Sequence, residues 1–400
     1  MSYPLIPLGQ LAKFINGDRG KNYPSKDSFV DTGIPFINAG CLSDQWVLDS
    51  SKFNYISEEA YDRLSSGKIQ KNDILFCLRG SVGKFAVIRD DNKGALASSL
   101  VILRGNDKVD VEYLKHYLAG SLCTKELDNY QNGAAQPNLS ANDFKKFLVP
   151  LPPLVEQRRI ASILDQADDL RKKRQQAIET LDQLLQATFI EMFGDPVSNP
   201  KGWDLVKVGE VVDEFIGGKN IECPDESDSD YKILKVSAVT SKVYKPSESK
   251  FAPNTFEPNP LAIVEKGDLL FSRANTTELV AATAYVWETP ENIVLPDKLW
   301  KFSISDESKV NKLYLWDLFK NIEFRNELSK LSSGTSGSMK NISKGKLNEL
   351  KMPLPPKELQ DKFAEFSTKL WEQIKTSQQS SDSLDSLFKS LQNQAFNGTL

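Results

Sequence analysis

The most prominent hydrophobic pattern in the chain begins directly after a proline pair, Pro152-Pro153. Proline can precede a helix but is excluded from its interior, and no Gly or Pro follows until Gly194. Within that interval apolar residues recur three and four positions apart, as in an amphipathic helix close to a 3.5-residue repeat: Ile160, Ile163, Leu164, Ala167, Leu170, Ile178, Leu181, Leu184, Leu185, Phe189 and Met192. The pattern predicts a helix of roughly 33 residues, or about 50 Å, which is typical of a coiled-coil arm or spacer.

The same pattern returns near the C-terminus, after the proline pair Pro355-Pro356. Its apolar positions are Phe363, Phe366, Leu370, Ile374, Leu384, Phe388 and Leu391. The offset that aligns Pro150 with Pro353 also aligns four identical pairs: Gln157 with Gln360, Ala161 with Ala364, Asn138 with Asn341 and Ser140 with Ser343. The chain is therefore predicted to be a tandem duplication.

The segments outside the two helices contain short apolar runs bounded by Gly and polar turns, which favours an α+β fold with short strands. In the first half we expect strands at 33–40, 74–76 and 95–103 and a helix at 111–127. In the second half we expect strands at 231–239 and 294–302 and a helix at 310–331. The predicted organisation is a globular domain over 1–149, a long helix over 150–196, a second domain over 197–352 and a second long helix over 353–400.

The charge balance does not by itself indicate a nucleic-acid partner. The 400 residues include 50 basic and 54 acidic side chains, for a formal charge of −4, whereas small DNA-binding domains are usually basic. A DNA partner would require basic residues collected in loops on one face. The chain has no apolar run of transmembrane length, no signal-peptide layout at its N-terminus, and four scattered cysteines. These features predict a reduced, cytoplasmic protein.

The chain offers little catalytic chemistry. The single histidine, His116, lies in a predicted amphipathic helix, and we interpret it as a packed or solvent-facing side chain rather than part of a Ser-His-Asp site. The segment GSVGK at 80–84 lacks the spacing of a phosphate-binding loop. Asp225, Asp230 and Lys232 imitate a metal-nuclease set, but they lie in an acidic, serine-rich loop. We therefore predict no catalytic residue and no metal site.

Side chains suited to DNA lie instead in predicted loop tips, at similar places in both halves. Arg and Lys can hold phosphate or read guanine, and Asn and Gln can pair with adenine. The candidates in the first half are Arg19, Lys21, Asn38, Arg79, Lys84, Gln136 and Asn138. Those in the second half are Lys219, Asn220, Lys235, Arg273, Asn275, Lys340 and Asn341. These loops also differ most between the halves, with LRGSVGK opposite SRANTTE. Such divergence is expected if the two domains recognise different DNA sequences, and also if exposed loops have drifted neutrally.

Several segments resemble the DNA-specificity (S) subunit of type I restriction-modification enzymes. They are NDILFCLRGSVGK, NGAAQPNLS with PLPPLVEQRRIASILDQADDL, GDLLFSRAN, and SGSMKNIS with MPLPPKELQDKFAEF. The resemblance covers essentially the whole chain and implies two target-recognition domains, each reading one half of a bipartite site on double-stranded DNA. It also implies that the long helices pack as an antiparallel coiled coil in a pseudo-twofold arrangement. A spacer of about 50 Å would separate the readers by on the order of one to one and a half turns of DNA.

The resemblance further implies two methyltransferase (M) subunits that carry S-adenosylmethionine, and restriction (R) subunits that use ATP and Mg²⁺. Methylation and cleavage would then reside in those partners, and this chain would bind no cofactor. The predicted partner contacts follow the proline pairs: Gln157, Arg158, Arg159 and Gln360. Because ELQDKF at 358–363 replaces the EQRRI of the first copy, the two helices are not expected to contact partners identically.

Two other functions stay open at this point. The chain could be a non-enzymatic coiled-coil scaffold of another bacterial defence complex, without DNA readout of its own. It could also be a nuclease built on Asp225, Asp230 and Lys232. The base sequence recognised does not follow from the loops, because their hydrogen-bonding chemistry is degenerate and DNA shape adds positions that are never touched.

Overall fold

A computed structural model describes residues 3–130, 138–224, 226–334 and 339–400. The chain forms two compact units, one made of Met1–Gln175 with Gln379–Leu400 and the other of Gln176–Gln378. Each unit therefore contains one globular domain, the nearer part of the helix that follows it, and the far part of the other long helix.

The first domain is built from nine short strands and four short helices within its described residues. Its strands are Leu5–Pro7 (β1), Ala12–Asn16 (β2), Ile34–Ile37 (β3), Asn54–Ile56 (β4), Ile74–Cys77 (β5), Phe85–Val87 (β6), Ala95–Leu96 (β7), Leu100–Gly105 (β8) and Leu148–Pro150 (β9). Its helices are Glu58–Arg63 (α1), Val111–Leu118 (α2), Ser121–Tyr130 (α3) and Ala141–Phe144 (α4), and the long helix Leu154–Phe193 (α5) follows.

The second domain repeats most of this order. Its strands are Asp204–Lys207 (β10), Glu214–Gly217 (β11), Lys232–Leu234 (β12), Ser249–Phe251 (β13), Leu269–Ser272 (β14), Ala274–Asn275 (β15), Thr283–Tyr285 (β16), Ile293–Val294 (β17), Leu299–Ser303 (β18), Lys340–Asn341 (β19) and Lys351–Leu354 (β20). Its helices are Ser237–Thr240 (α6), Lys312–Lys320 (α7), Ile322–Lys330 (α8) and Lys344–Asn348 (α9), and the long helix Lys357–Asn397 (α10) follows.

The two domains share one sheet topology. The four-stranded sheet has the order β2-β8-β5-β6 in the first domain and β11-β18-β14-β16 in the second. The three-stranded sheet is β4-β3-β7 in one and β13-β12-β17 in the other, each with one antiparallel and one parallel pairing. A two-stranded pair, β1-β9 or β10-β20, joins the start of each domain to the strand before its proline pair. The repeat read from the sequence is thus also a repeat of fold.

Helix α5 has 40 residues and so exceeds its predicted length of roughly 33, and α10 has 41 residues. In contrast, four shorter predicted elements are each broken in two. The strand expected at 95–103 is β7 and β8, and the one expected at 294–302 is β17 and β18; in both cases the two halves belong to different sheets. A run of apolar residues does not reveal where a chain crosses from one sheet to another.

Each of the two predicted shorter helices is divided in two by a residue that ends a helix, and the spacing of the apolar residues does not show this break. The helix expected at 111–127 stops before Gly120, whose N–H donates to the Tyr117 carbonyl over 3.0 Å. The helix expected at 310–331 stops at Asn321, whose side chain accepts hydrogen bonds from the N–H groups of Glu323 and Phe324 and so caps α8. Asparagine at this position satisfies donors that a helix start leaves unpaired.

Aromatic side chains join each globular domain to the long helices of its unit. In the first unit, Tyr113 and Tyr117 of α2 lie with their ring centroids 5.3 and 6.0 Å from that of Phe396 in α10. In the second unit, Tyr314 of α7 stacks on Phe189 of α5, which also contacts Phe363 of α10. These buried rings belong to the main hydrophobic core of each unit, so the helices are part of the folded domains rather than appendages.

Candidate nucleic-acid interface

Four of the predicted DNA-binding residues of the second domain meet at one small edge. Strand β15 pairs antiparallel with β19, which places Ala274 opposite Asn341 and Asn275 opposite Lys340. Arg273, directly before β15, donates from Nη1 to the Asn341 side-chain oxygen over 3.2 Å. The tertiary fold therefore brings Arg273, Asn275, Lys340 and Asn341 together, although 65 to 68 positions separate the two segments in the chain.

The Arg273 guanidinium is held in place rather than loose. Its Nε donates to the Asp297 carbonyl over 2.6 Å, its Nη2 lies 3.5 Å from the Asp297 carboxylate, and its centre lies 5.6 Å from the Trp300 ring. Arg has five N–H donors in a fixed plane, so donors remain for a ligand. A preoriented arginine beside a lysine and two amides has the chemistry of base-edge and phosphate recognition.

The first domain has the counterpart of this edge in an isolated bridge between Arg79 and Asn138. Both residues are exposed, and the Leu139 N–H donates to the Leu78 carbonyl over 2.9 Å. The equivalent bond in the second domain runs from the Ile342 N–H to the Arg273 carbonyl over 2.9 Å.

This register corrects the alignment of the two loops by one residue. Matching LRGSVGK to SRANTTE placed Arg79 opposite Arg273. The structure instead equates Leu78 with Arg273 and Arg79 with Ala274, because strand pairing fixes which residue faces Asn138 or Asn341. The two arginines lie in the same segment but at successive positions, so their side chains leave opposite sides of the strand.

The other candidates of the first domain are dispersed. Lys21 is exposed, Arg19 donates to the Ser98 carbonyl over 3.4 Å, and Lys84 pairs with exposed Asp44 at 2.8 Å. Asn38 caps a short 3-10 helix by accepting from the Gly40 N–H over 2.8 Å, a local role that competes with base contact. Gln136 lies outside the residues that the structure describes. In the described part, no hydrogen bond or ion pair joins these side chains to those of Arg79 and Asn138.

The remaining candidates of the second domain are exposed and also separate from the edge. Lys219 and Asn220 lie on the surface, and the Lys235 amine is 3.8 Å from the Glu248 carboxylate. At the edge itself, the Asn275 side chain accepts a hydrogen bond from the Thr276 N–H over 2.8 Å, and Lys340 donates to the Gly334 carbonyl over 2.9 Å. The described contacts therefore define one compact candidate site per domain, at the β15–β19 edge and at its counterpart.

Sequence reasoning missed the buried carboxylate that precedes the strand leading to each edge. Asp73 accepts from Arg104 through two bonds of 2.8 Å and from the Gln70 N–H, and Arg104 also donates to the Lys68 carbonyl. Asp268 accepts from Lys301 over 3.1 Å and from the Glu265 N–H over 2.8 Å, and Lys301 donates to the Ile263 carbonyl. The similar segments KND, before β5, and KGD, before β14, could have indicated these buried carboxylates from the sequence.

The predicted partner contacts Gln157 and Gln360 are corrected by the structure. Gln157 is 1% exposed; it accepts from the Asp110 N–H over 2.8 Å and donates to the carbonyls of Lys108 and Pro152. Gln360 is 0% exposed and makes the same three bonds, accepting from the Asn311 N–H and donating to the carbonyls of Lys309 and Pro355. Because their bonding capacity is used inside the chain, both residues tie a long helix to its own domain instead of contacting a partner.

Each glutamine is reinforced by a tyrosine at the same junction. The Tyr113 hydroxyl donates to the Pro150 carbonyl over 2.5 Å, and the Tyr314 hydroxyl donates to the Pro353 carbonyl over 2.7 Å. The partner contacts predicted at Arg158 and Arg159 remain predictions. Both side chains are exposed; Arg158 lies 3.7 Å from Asp110, and Arg159 donates to Glu156 and to the Leu400 carbonyl.

His116 is a packed side chain with a structural role. It is fully buried in α2, its Nε2 lies 2.8 Å from the Asp165 carboxylate, and its Nδ1 has no partner among the described residues. Burial lowers the pKa of His116, and the hydrogen bond to Asp165 opposes that shift. Within the described ranges, no group of His, Cys, Asp and Glu residues could hold a metal ion, and no helix is long and apolar enough to cross a membrane. Of the nuclease trio, Asp225 lies outside those ranges.

Comparison with known proteins gives one consistent result. The sequence profile of the type I restriction modification DNA specificity domain matches twice, over residues 5–180 and 200–385. The type I restriction enzyme MjaVIII specificity subunit of Methanocaldococcus jannaschii is 25% identical over 417 residues, covering 100% of this chain and 93% of the relative. The EcoKI specificity subunit of Escherichia coli is 22% identical over 370 residues, covering 88% and 78%.

Solved structures agree at the level of fold. The type I restriction-modification S subunit from M. genitalium superposes with a TM-score of 0.58 at 16% identity, covering 99% of this chain and 96% of that one. A chain from a study of complex assembly and conformational transition in the type I R-M system gives a TM-score of 0.54 at 18% identity, covering 100% and 98%.

Two copies of one α+β domain, each followed by a helix of about forty residues, define a tandem two-domain protein. With both copies matched by the family profile, the chain belongs to the family of type I restriction-modification DNA specificity subunits. This family comprises the subunits that give DNA sequence specificity and not the catalytic subunits, in agreement with the prediction that the chain is not itself an enzyme.

Proposed function

We propose that this chain reads a bipartite site on double-stranded DNA, with one half-site bound by each globular domain. The observation that carries the proposal is the match of the specificity domain to both halves of the chain, which also share one sheet topology. Two equivalent folds with different loop tips suit the reading of two different short sequences. Loops on a shared scaffold vary without disturbing the core.

The proposed reading elements are the β15–β19 edge and the Arg79–Asn138 bridge. Arg273 is oriented by Asp297 and Asn341, which favours a directed contact over a mobile charge. Arg79 and Asn138 are exposed and adjacent in the first domain. An arginine that binds guanine bidentately, or an asparagine that binds adenine, discriminates against a wrong base by about 1–3 kcal/mol. Lys21, Lys84, Lys219 and Lys235 are assigned to phosphate contacts around these edges.

The long helices are proposed to form the spacer, packed as an antiparallel coiled coil. Supporting contacts occur inside each unit. In the first, Arg171 of α5 donates to Asp385 of α10 over 2.5 Å and its guanidinium lies 4.6 Å from the Phe388 ring. In the second, Phe193 and Phe363 lie 5.4 Å apart between ring centroids. Later residues of α5 thus meet earlier residues of α10, as antiparallel helices require. Their length would set the gap between half-sites in a pseudo-twofold subunit.

The proposed partners are two methyltransferase subunits and, in the larger complex, restriction subunits. S-adenosylmethionine, ATP and Mg²⁺ are assigned to those partners rather than to this chain. Arg158 and Arg159, exposed at the start of α5, are the proposed partner contacts. With Gln157 and Gln360 buried, the docking surface must use the outer faces of the helices.

The decisive experiment coexpresses the chain with its methyltransferase subunits and maps N6-methyladenine in the host genome by single-molecule sequencing. The expected result is one bipartite motif with a fixed gap. Exchange of residues 1–149 for the same domain of a relative should change one half of that motif and leave the other half and the gap intact. Methylation without a common motif, or a complex that binds all duplexes equally, would refute sequence readout and favour a scaffold role.

A further inference from the structure

Asp297 of the second domain holds the Arg273 guanidinium along one edge. The Asp297 carbonyl oxygen accepts a hydrogen bond from the Arg273 Nε over 2.6 Å, and the Asp297 carboxylate lies 3.5 Å from Nη2. The five N–H donors of arginine lie in one plane with fixed directions. A single residue that meets both Nε and Nη2 therefore fixes the plane of the guanidinium and the direction in which its remaining donors point.

Trp300 and Asn341 complete this support. Trp300 is 6% exposed, and the centre of the guanidinium lies 5.6 Å from the centroid of its ring. The Asn341 side-chain oxygen accepts from the Arg273 Nη1 over 3.2 Å. These contacts use three of the five N–H donors, so one N–H on each terminal nitrogen has no partner among the described residues. The Arg273 side chain is 28% exposed, so a ligand can reach it.

Strand pairing equates Asp297 with Ser98 of the first domain. Strand β8 begins at Leu100 and β18 at Leu299, and these two residues have the same register against β5 and β14. Ser98 and Asp297 each lie two residues earlier. In the first domain, Arg19 donates to the Ser98 carbonyl over 3.4 Å. Both domains therefore place a guanidinium on the same backbone carbonyl, although the arginine comes from a different segment in each.

The carboxylate at this place is specific to the second domain. Ser98 offers its arginine no negative charge, and Arg19 is exposed. The shared fold thus supplies the carbonyl in both domains and does not require an acidic side chain beside it. Asp297 adds an ion pair that restrains Arg273 more tightly than Ser98 restrains Arg19.

Two unpartnered N–H donors of one guanidinium fit two acceptor pairs of DNA. One pair is O6 and N7 of guanine, and the other is two oxygens of a phosphate. The Asp297 carboxylate favours the first, because it offsets the positive charge of Arg273 and would repel a phosphate. The guanine edge carries no net charge. The ion pair therefore keeps directed hydrogen bonds for a base and loses much of its sequence-independent attraction for the DNA backbone.

We infer that Arg273 reads a guanine in the half-site bound by the second domain, and that Asp297 is the positioning residue that makes this contact selective. The inference rests on the proposed function and narrows it to one base at the β15–β19 edge. Positioning matters because a bidentate contact requires both N–H groups to meet O6 and N7 at the same time. A guanidinium that turns freely also meets phosphate oxygens.

The test uses the complex of the full chain with its methyltransferase subunits, and duplexes that carry the mapped motif. In these duplexes, each base pair is replaced in turn within the half-site that is unchanged when residues 1–149 are exchanged. Arg273→Gln removes the guanidinium, and Asp297→Ser installs the residue of the first domain. Asp297→Asn keeps the shape of the side chain, and a double variant combines Arg273→Gln with Asp297→Ser. Glu291→Gln is the matched control, because it also removes one exposed negative charge, shortly before β17.

Competition measured by fluorescence anisotropy gives the relative affinity for each duplex. In the wild-type complex, replacement of the G·C pair that Arg273 reads should cost roughly 5- to 150-fold in affinity. Arg273→Gln should abolish that preference at this pair alone. Asp297→Ser and Asp297→Asn should reduce it at the same pair, and Glu291→Gln should leave it unchanged. The double variant should lose no more than Arg273→Gln, because Asp297 acts through Arg273 and their effects are then not additive.

Three results would overturn the inference. The first is a half-site without a G·C pair, or an unchanged base preference in Arg273→Gln. The second is an equal loss for all duplexes, including a scrambled one, with a slope of log K against log salt reduced by about 0.9, as a phosphate contact would give. The third is additive losses in the double variant, which would make Asp297 a structural residue only. If thermal melting shows that Asp297→Ser does not fold, Asp297→Asn decides the outcome.

Failure of the proposed function would give a different result. The wild-type complex would then bind the motif and the scrambled duplex equally, and it would have no base preference for a variant to lose. A preference that is present in wild type and unchanged in every Arg273 and Asp297 variant would refute the inference alone.

Discussion

Substitution of Gln157 by leucine should detach the start of α5 from the first domain. The change keeps a side chain of similar size but removes three buried hydrogen bonds, of 2.8, 3.0 and 2.8 Å. At about 1 kcal/mol for each buried bond, the loss is about 3 kcal/mol. The Asp110 N–H, which stands at the N-terminus of α2, and two backbone carbonyls would be left without these partners.

Hydrogen exchange with mass spectrometry measures this loss locally. Exchange of buried amides tracks the free energy of local opening, and each 1.4 kcal/mol corresponds to a factor of ten. Peptides that cover α2 in the Gln157→Leu chain should therefore exchange on the order of 100-fold faster than in wild type, because 3 kcal/mol is about two such factors. Gln360→Leu should do the same at α7 and leave α2 unchanged, since Gln360 makes the equivalent bonds in the other unit.

Gln166→Leu is the control on the same helix. Gln166 is exposed and donates a hydrogen bond to the Ser162 hydroxyl, one turn earlier, over 3.3 Å, so its replacement should change stability by less than about 0.5 kcal/mol. If α2 exchanges equally in the Gln157→Leu and Gln166→Leu chains, the glutamine network does not hold the junction. The assignment of Gln157 as a structural residue would then be wrong.

Three further predictions concern the helices and the single histidine. Residues 1–196 alone should dimerise, because a second copy can supply the helix segment that the repeat places in register with 379–397 of α10; a strictly monomeric fragment in analytical ultracentrifugation would contradict this. Removal of two helical turns from within 165–185, matched by the same deletion in 368–388, should shorten the gap between the half-sites of the methylated motif. An unchanged gap would show that the length of the helices does not set this spacing. Burial lowers the pKa of His116 in the folded state. Its contribution to the free energy of unfolding is therefore fully present above about pH 6.5, and it is lost as the pH falls below that value because protonation then favours the unfolded chain. His116→Gln should flatten that part of the curve of urea midpoint against pH, and an identical curve would refute the assignment.

The local sequence determined the organisation of this protein. Proline pairs and an unbroken apolar period mark α5 and α10, since helical spacing over forty residues has no other simple explanation. One constant offset from Asn138 to Ala161 revealed the duplication, and the two folds have the same strand order. Most strand and helix positions in the domains were also readable, but Gly120 and Asn321 end helices inside an apolar run. The apolar runs at 95–103 and 294–302 are each divided between two sheets, and the strand expected at 231–239 ends at Leu234 and is followed by α6.

Tertiary structure decided what the individual polar residues do. The family resemblance predicted partner contacts at Gln157 and Gln360, but the residues to which they are hydrogen-bonded lie about fifty positions away in the same chain. The register that pairs Arg79 with Asn138 likewise depends on segments that lie far apart in the chain. Apolar periodicity is a local property that a short window can display. The partner of a charge or an amide is set by packing between remote segments, and only the folded chain brings those segments together.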